Sequence, residues 1–163
     1  RSEEEQKQLI IKKIGELRTE GFSDKKAKEE ALRWVSMPGT SEHQSGLCCD
    51  MHNIGSAEVS FAKKPEAKWL AENCYRFGFI LRYPKEKEDI TGVIYEPWHY
   101  RFVGIYYANK VRESGLCLEE YFIEQGWAGT DGVATEMTVS QSRTPAEIVV
   151  NESDGEAQVN IIV

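Results

Sequence analysis

Two short segments concentrate the residue types that bind metals and move protons. The first contains His43 and ends at Asp50, and the second contains Glu96 and His99. A catalytic zinc site takes three N, O or S ligands from side chains and leaves a further position open for water. His43, Asp50 and His99 can supply that set. The sequence therefore indicates a hydrolytic zinc centre.

The spacing of His43 and Asp50 requires a bend in the chain. If residues 43–50 formed one straight strand, its ends would lie about 23 Å apart at ~3.3 Å per residue. They could then not share one ion. Gly46 is the residue between them that allows the bend.

His52 is a rival ligand. It follows Asp50 by two positions, and on a strand both side chains would share a face. On periodicity alone the set Asp50, His52 and His99 is therefore also possible. The residues by themselves leave both ligand sets open.

Glu96 is the natural general base of such a centre. Pro97 favours an extended Glu96 and a turn at the next step, so Glu96 and His99 can face one point. A carboxylate beside an activated water takes its proton and later passes it to a leaving amine. Tyr100 and Phe102, further along the same segment, are predicted to pack in the core.

Helices are predicted around these segments. Ser2 and Glu5 form a capping box, followed by an apolar stripe at helical spacing of Ile10, Ile14 and Leu17. Ser23 caps a second helix whose inward residues are Ala27, Ala31 and Trp34. Pro65 suits the start of a third helix that ends at Gly78, with inward residues Trp69, Leu70 and Cys74.

The rest of the chain is predicted to contain strands and one further helix, and its composition changes towards the C-terminal end. Residues 79–83 and part of 94–103 are predicted as strands, 106–114 as a helix, and 147–150 and 158–163 as a strand pair. The predicted fold is α+β, a small antiparallel sheet flanked by helices with the zinc site at the sheet. Lysine disappears after Gln125, which divides the chain into a catalytic domain over 1–124 and a β-rich extension over 125–163.

Composition and charge exclude several classes of protein. The 163 residues are 40% hydrophobic and 29% charged, which is typical of one globular domain. A net charge of −7 argues against nucleic acid as a partner. No apolar run reaches the ~20 residues that span a bilayer. Because the chain starts at Arg1, we expect a processed or trimmed terminus, with a signal or anchor lost upstream.

The four cysteines do not define a metal or disulfide pattern. Their spacing matches no zinc ribbon, and Cys48 and Cys49 are neighbours, which would strain a bond between them. We interpret the four thiols, Cys48, Cys49, Cys74 and Cys117, as small buried hydrophobic side chains.

Both metal-binding segments resemble a known family. Residues 39–46, Gly-Thr-Ser-Glu-His-Gln-Ser-Gly, followed by Asp50, are similar to the SxHxxGxxxD motif of VanY/LdcB-type D-alanyl-D-alanine carboxypeptidases. Residues 96–101, Glu-Pro-Trp-His-Tyr-Arg, resemble the ExxH motif of that family in its EPWHYR form. The resemblance extends over about residues 1–122. It implies the fold of the zinc LAS-type peptidoglycan peptidases, which is also found in hedgehog-like proteins.

The resemblance also implies roles for individual residues. The metal ligands become His43, Asp50 and His99, so that His52 drops out, and Glu96 becomes the base. An Arg-Ser element followed by Gln implies that Arg1 polarises the scissile carbonyl. The residues implied to bind substrate are Gln6, Ser41 and Trp98.

The function implied is a Zn²⁺-dependent D,D-carboxypeptidase that removes the terminal D-Ala from peptidoglycan stem peptides. The motifs equally accommodate an L,D-carboxypeptidase acting on tetrapeptide stems. A non-catalytic peptidoglycan-binding module is a third reading, against which the complete set of ligands and Glu96 argue. The implied substrate indicates an extracytoplasmic location in the bacterial cell envelope.

Overall fold

The computed structural model describes residues 1–127 and two later strands over 147–153 and 156–162. The chain divides into two compact units. The first unit contains residues 1–44 and the two later strands, and the second unit begins at Ser45.

The first unit is built on two helices, α1 (Glu3–Thr19) and α2 (Asp24–Trp34). The predicted capping box is confirmed, because Ser2 Oγ accepts from the Glu5 amide and the Glu5 carboxylate accepts from the Ser2 amide. That network and the nearby Arg1 cation lower the pKa of the Glu5 carboxyl. The predicted inward residues Ile10, Ile14, Leu17, Ala27 and Ala31 form one buried cluster.

A two-stranded antiparallel sheet completes the described part of the first unit. Strand β4 (Glu147–Ser153) pairs with β5 (Glu156–Ile162), with Glu147 opposite Ile162 and Ser153 opposite Glu156. Both C-terminal strands predicted from the sequence are therefore confirmed. The turn predicted between them lies outside the described residues.

The second unit holds a three-stranded sheet surrounded by helices. Its helices are α3 (Pro65–Asn73), α4 (Glu88–Thr91), α5 (Ile105–Ser114) and α6 (Leu118–Glu124). Its strands are β1 (Cys48–Asp50), β2 (Phe79–Leu81) and β3 (His99–Phe102), joined in the order β1–β3–β2 with antiparallel pairing. Short 3-10 helices cover Glu42–Ser45 at the boundary of the units and Val59–Lys63, Cys74–Phe77 and Lys85–Lys87 within the second unit. The α+β fold with a small antiparallel sheet is confirmed.

Strand β3 occupies the centre of the sheet, between β1 and β2. Its Tyr100 pairs with Cys49 on one side and Leu81 on the other, and its side chain is fully buried. The core thus fixes β3 in place, and with it the position of His99 at the start of that strand.

Two buried clusters pack against this sheet. One joins β2 to α5 and α6 through Ile80, Ala108, Val111, Leu118 and Tyr121. The other joins Phe61 and the α3 residue Ala67 to Trp98, immediately before β3. Among the described residues, no helix is both long enough and apolar enough to cross a membrane.

Two aromatic residues predicted to be inward are exposed. Trp69 is 50% exposed, because α3 turns the face of Ala67 and Leu70 toward the core and Trp69 lies about 200° around the helix from Ala67. Phe102 is 43% exposed, because it is the last residue of β3 and lies where the sheet ends. Its ring packs edge-on against Phe79.

Gly78 is required where the Cys74–Phe77 turn enters β2. Its φ of +84° lies in the left-handed region, and a Cβ there would lie 2.8 Å from Cε2 of Phe102. The Gly78 carbonyl accepts from the amides of Val103 and Gly104. This glycine therefore ties the start of β2 to the end of β3.

Candidate metal centre

Asp50 and His99 lie directly opposite each other in the pairing of β1 with β3. Directly opposed residues of an antiparallel pair point to the same face of the sheet. The Nδ1 atom of His99 lies 3.5 Å from Oδ1 of Asp50. Because His99 is buried and Asp50 half-buried, the two side chains meet in a shielded position.

Glu96 joins them from the turn that precedes β3. The amide of His99 donates to the Glu96 carbonyl at 3.1 Å, which closes the turn around Pro97. Oε2 of Glu96 then lies 3.3 Å from Nδ1 of His99, and Glu96 is 7% exposed. The structure thus brings the three predicted residues of the second unit to one point.

This donor set suits a zinc ion. Tetrahedral Zn²⁺ with N and O ligands at ~2.0–2.1 Å places two ligand atoms about 3.4 Å apart. The separation of 3.5 Å between His99 Nδ1 and Asp50 Oδ1 matches that value. One imidazole and two carboxylates also balance a divalent cation, whereas two carboxylates buried together without one would repel each other.

Cys48 lies on the same face of the sheet as Asp50 and His99. The sequence pattern did not identify it as a ligand. It lies two residues before Asp50 on β1, so alternation places both side chains on one side. Its Sγ lies within 4.8 Å of a ring nitrogen of His99. Cys49 points to the opposite face, and burial raises the pKa of its thiol.

Residues 82 and 83, which directly follow β2, support the site. The Arg82 amide donates to the His99 carbonyl at 3.1 Å, and the Tyr83 carbonyl accepts from the Glu96 amide at 3.2 Å. The Tyr83 ring lies 4.9 Å from the His99 ring, centroid to centroid. The backbone of this segment thus holds both Glu96 and His99.

A buried ion pair fixes that supporting segment. The Arg82 guanidinium makes a two-pronged contact with the Glu119 carboxylate of α6, with Nη1 at 2.9 Å from Oε2. Both residues are buried, and the guanidinium also lies 4.7 Å from the centre of the Tyr83 ring. The sequence pattern did not identify this pair, since its members are 37 positions apart.

Glu119→Gln is expected to lower the free energy of unfolding by about 3–5 kcal/mol, because it leaves the Arg82 charge buried without its counter-ion. Urea denaturation followed by circular dichroism measures the change. Glu113→Gln is the matched control, since its partner Lys110 lies on the surface, and it should leave stability nearly unchanged. Equal stability of the two variants would show that the buried pair does not hold the segment.

His43 and Ser41 lie in the first unit. His43 is half-buried in the 3-10 helix Glu42–Ser45, which directly precedes β1 in the chain. Ser41 is buried, and its Oγ accepts from the His43 amide at 3.4 Å. Ser41 therefore stabilises the backbone that presents His43.

Arg1 and Gln6 are joined to each other, also in the first unit. Nη1 of Arg1 donates to Oε1 of Gln6 at 3.0 Å, and the amino-terminal group donates to the His43 carbonyl at 3.2 Å. Gln6 is 1% exposed, and its amide nitrogen donates to the Ser36 carbonyl at 2.7 Å. In this structure Gln6 holds Arg1, and its contact with substrate stays a prediction.

The two remaining candidates, His52 and Trp98, lie in the second unit. The argument for His52 required a strand through residue 52, but β1 ends at Asp50. His52 is exposed, and its Nδ1 lies 2.9 Å from the Ile54 carbonyl oxygen. Trp98 is buried in the cluster with Phe61 and Ala67, so its predicted place beside substrate remains a prediction.

A half-buried carboxylate and a buried imidazole on one sheet face, with a second carboxylate beside them, define a metallohydrolase type of site. Comparison with known proteins identifies the family. The profile described as "VanY: D-alanyl-D-alanine carboxypeptidase" matches residues 1–105. The chain belongs to the VanY D-alanyl-D-alanine carboxypeptidase family.

Curated relatives and solved structures agree with this assignment. A D-alanyl-D-alanine carboxypeptidase of Enterococcus faecalis (strain ATCC 700802 / V583) is 49% identical over 121 residues, which are 74% of this chain and 44% of that protein. A D-alanyl-D-alanine carboxypeptidase of Enterococcus faecium is 43% identical over 94 residues, which are 58% of this chain and 30% of that protein. The chain thus spans less than half the length of these relatives.

Two solved structures have the same fold. The vancomycin resistance D,D-pentapeptidase VanY in complex with Zn(II) is 48% identical, with a TM-score of 0.68 over 75% of this chain and 67% of that one. The LdcB LD-carboxypeptidase is 38% identical, with a TM-score of 0.62 over 75% of this chain and 54% of that one. The predicted resemblance to VanY and LdcB peptidases is confirmed.

Proposed function

We propose that this chain carries a zinc-dependent D,D-carboxypeptidase that hydrolyses the terminal D-Ala from peptidoglycan stem peptides ending in D-Ala-D-Ala. The observation that carries the proposal is that a carboxylate oxygen of Asp50 and one of Glu96 each lie within 3.5 Å of His99 Nδ1. The complex of the related VanYB with D-alanine-D-alanine supports the choice of substrate.

The metal ligands in this proposal are His43, Asp50 and His99, as their places in the two motifs imply. The ring nitrogen of His99 that faces Asp50 is Nδ1, and we assign it as the ligand atom. When bound there, Zn²⁺ supplies a Lewis acid that polarises the scissile carbonyl and makes water a better nucleophile at neutral pH.

Glu96 moves the proton in the hydrolysis. Its carboxylate takes a proton from the attacking water as oxygen bonds to the carbonyl carbon, and returns that proton to the departing nitrogen of D-Ala as the C–N bond breaks. Burial of Glu96 beside His99 keeps the carboxylate in one position. Such prior placement removes much of the entropic cost of the reaction.

Arg1 stabilises the negative charge that develops on the carbonyl oxygen. A fixed cation at that point contributes more than one that must be ordered during the reaction, and the hydrogen bond that the guanidinium donates to Gln6 Oε1 restricts it. Ser41 and Trp98 complete the proposed substrate contacts, as the family motifs imply. The peptidoglycan substrate places the reaction in the bacterial cell envelope, outside the cytoplasm.

The alternative within the same chemistry is an L,D-carboxypeptidase that removes D-Ala from a tetrapeptide stem. The likeness to the LdcB LD-carboxypeptidase favours retaining it as the second candidate. Both reactions use the same zinc, base and arginine, so the two motifs do not separate them.

The test is mass spectrometry of a pentapeptide and a tetrapeptide stem incubated with zinc-loaded protein. We expect loss of one alanine from the pentapeptide alone, and none after chelation of zinc. Loss from the tetrapeptide instead would assign the L,D reaction. Absence of cleavage in both, with zinc bound, would favour a peptidoglycan-binding module.

A further inference from the structure

Cys48 places a sulfur atom beside the candidate metal centre. It lies two residues before Asp50 on β1, and Asp50 lies opposite His99 on β3, so the three side chains share one face of the sheet. The Sγ atom of Cys48 lies within 4.8 Å of a ring nitrogen of His99. The second unit therefore brings one sulfur, one carboxylate and one imidazole together on a single face.

The proposed hydrolysis does not use this sulfur. The metal ligands assigned to it are His43, Asp50 and His99. Its base is Glu96, whose Oε2 lies 3.3 Å from Nδ1 of His99. Because no step requires a donor atom at position 48, the thiol of Cys48 is an additional donor at a centre that already has its zinc ligands.

The surroundings of Cys48 suit a bound cation. Cys48 is half-buried, and in the described part of the chain none of the four cysteines is disulfide-bonded. Arg101 lies directly opposite Cys48 on β3. The negative charges of a Cys48 thiolate, Asp50 and Glu96 are therefore balanced by Arg101 together with one divalent cation.

Sulfur makes the additional donor selective for soft metal ions. Thiolate ligands favour soft, polarisable cations, whereas carboxylates and water favour hard ones. On a tetrahedral zinc ion a sulfur and a nitrogen ligand atom lie about 3.6 Å apart. A separation of up to 4.8 Å between Cys48 Sγ and the His99 ring nitrogen accommodates a larger cation as well. Cd²⁺ is both larger and softer than Zn²⁺.

We propose that Cys48, Asp50 and His99 form a binding site for a soft, thiophilic divalent cation that competes with zinc at this centre. The sulfur binds as the thiolate, and its proton passes to water. A soft cation held in this way displaces the zinc on which the proposed hydrolysis depends. Cys48 thus determines the metal selectivity of the centre, a property that lies beyond the choice of peptide substrate.

Titration of the metal-free protein with Cd²⁺ tests the bond to sulfur directly. A cadmium–thiolate bond has an ultraviolet charge-transfer absorption that bonds to oxygen or nitrogen lack, and we expect it to saturate at one Cd²⁺ per chain. Cys48→Ser keeps the size of the side chain and should abolish this absorption. Cys49→Ser is the matched control and should retain it, because Cys49 is equally half-buried but lies on the opposite face of the sheet.

Competition between Cd²⁺ and Zn²⁺ measures the selectivity. The ratio of the zinc Kd to the cadmium Kd is expected to fall at least about tenfold in Cys48→Ser, because loss of residues that merely orient metal ligands already costs about 10–100-fold in metal affinity. The same ratio should be unchanged in Cys49→Ser. Cys48→Ser should still bind one zinc per chain, since the three ligands assigned to zinc remain.

Two results would overturn the proposal. One is persistence of the charge-transfer absorption in Cys48→Ser, or its loss in Cys49→Ser alone. The other is a Kd ratio in Cys48→Ser equal to that of the unaltered protein. Neither measurement involves a peptide, so failure of the proposed hydrolysis is distinguishable: absence of D-Ala release together with a cadmium bond that depends on Cys48 would reject the proposed function alone.

Discussion

Glu96→Gln is expected to lower kcat by about a thousandfold while the protein retains its zinc. The amide keeps the size and polarity of the carboxyl group but cannot accept the proton of the attacking water, and general-base catalysis contributes roughly 10²–10⁴-fold. Steady-state release of D-Ala from a pentapeptide gives kcat, and atomic absorption of the dialysed protein gives the zinc content.

The zinc measurement separates the two roles that the distances allow for Glu96. Both carboxylates lie within 3.5 Å of His99 Nδ1, so a ligand and a base are both compatible with the geometry. Loss of zinc from Glu96→Gln would make Glu96 a ligand. Full activity of the same variant would remove it from the reaction, and Glu113→Gln controls for a change of surface charge.

Removing the metal ligand His99 is the second large effect. His99→Ala is expected to lose stoichiometric zinc and to reduce kcat/KM by more than about a hundredfold, because loss of residues that merely orient metal ligands already costs 10–100-fold. Dialysis against a chelator should reduce the unaltered protein to the same level. Added Zn²⁺ should restore the chelated protein and leave the variant inactive.

Two neighbouring variants test the identity of the ligand set. Cys48→Ala and His52→Ala are expected to keep one zinc per chain, since neither residue is assigned as a ligand. His52 is exposed and lies beyond the end of β1, whereas the thiol of Cys48 lies within 4.8 Å of a His99 ring nitrogen. Loss of zinc from either variant would show that the altered residue is itself a metal ligand, and the assigned set would have to change.

Much of the site was predictable because it is encoded locally. Asp50 and His99 carry ligand chemistry in their side chains, and Pro97 restricts the short link that brings Glu96 and His99 to one point. Helix α1 was equally predictable from the sequence, because the cap at Ser2 and the stripe of apolar residues depend only on spacing along the helix. Resemblance of the two motifs to one family supplied the roles that spacing could not assign.

Other features of the site and the fold could be recognised only from the tertiary structure. The pairing of β1 with β3 decides that Asp50 faces His99, and the end of β1 removes the reason for choosing His52. Helical spacing did not place Trp69 correctly, because a nine-residue helix can turn more than one face to the core and the packing of Ala67 and Leu70 selects one.

The sequence by itself determined the chemistry and the elements of this protein, because residue type, capping and periodicity act over a few neighbouring positions. Only the tertiary structure decided what surrounds the metal centre. The Arg82–Glu119 pair joins segments that are 37 positions apart in the chain. Such contacts form when buried surface and paired charge offset the entropy of closing long loops, and no local pattern in the sequence records that balance.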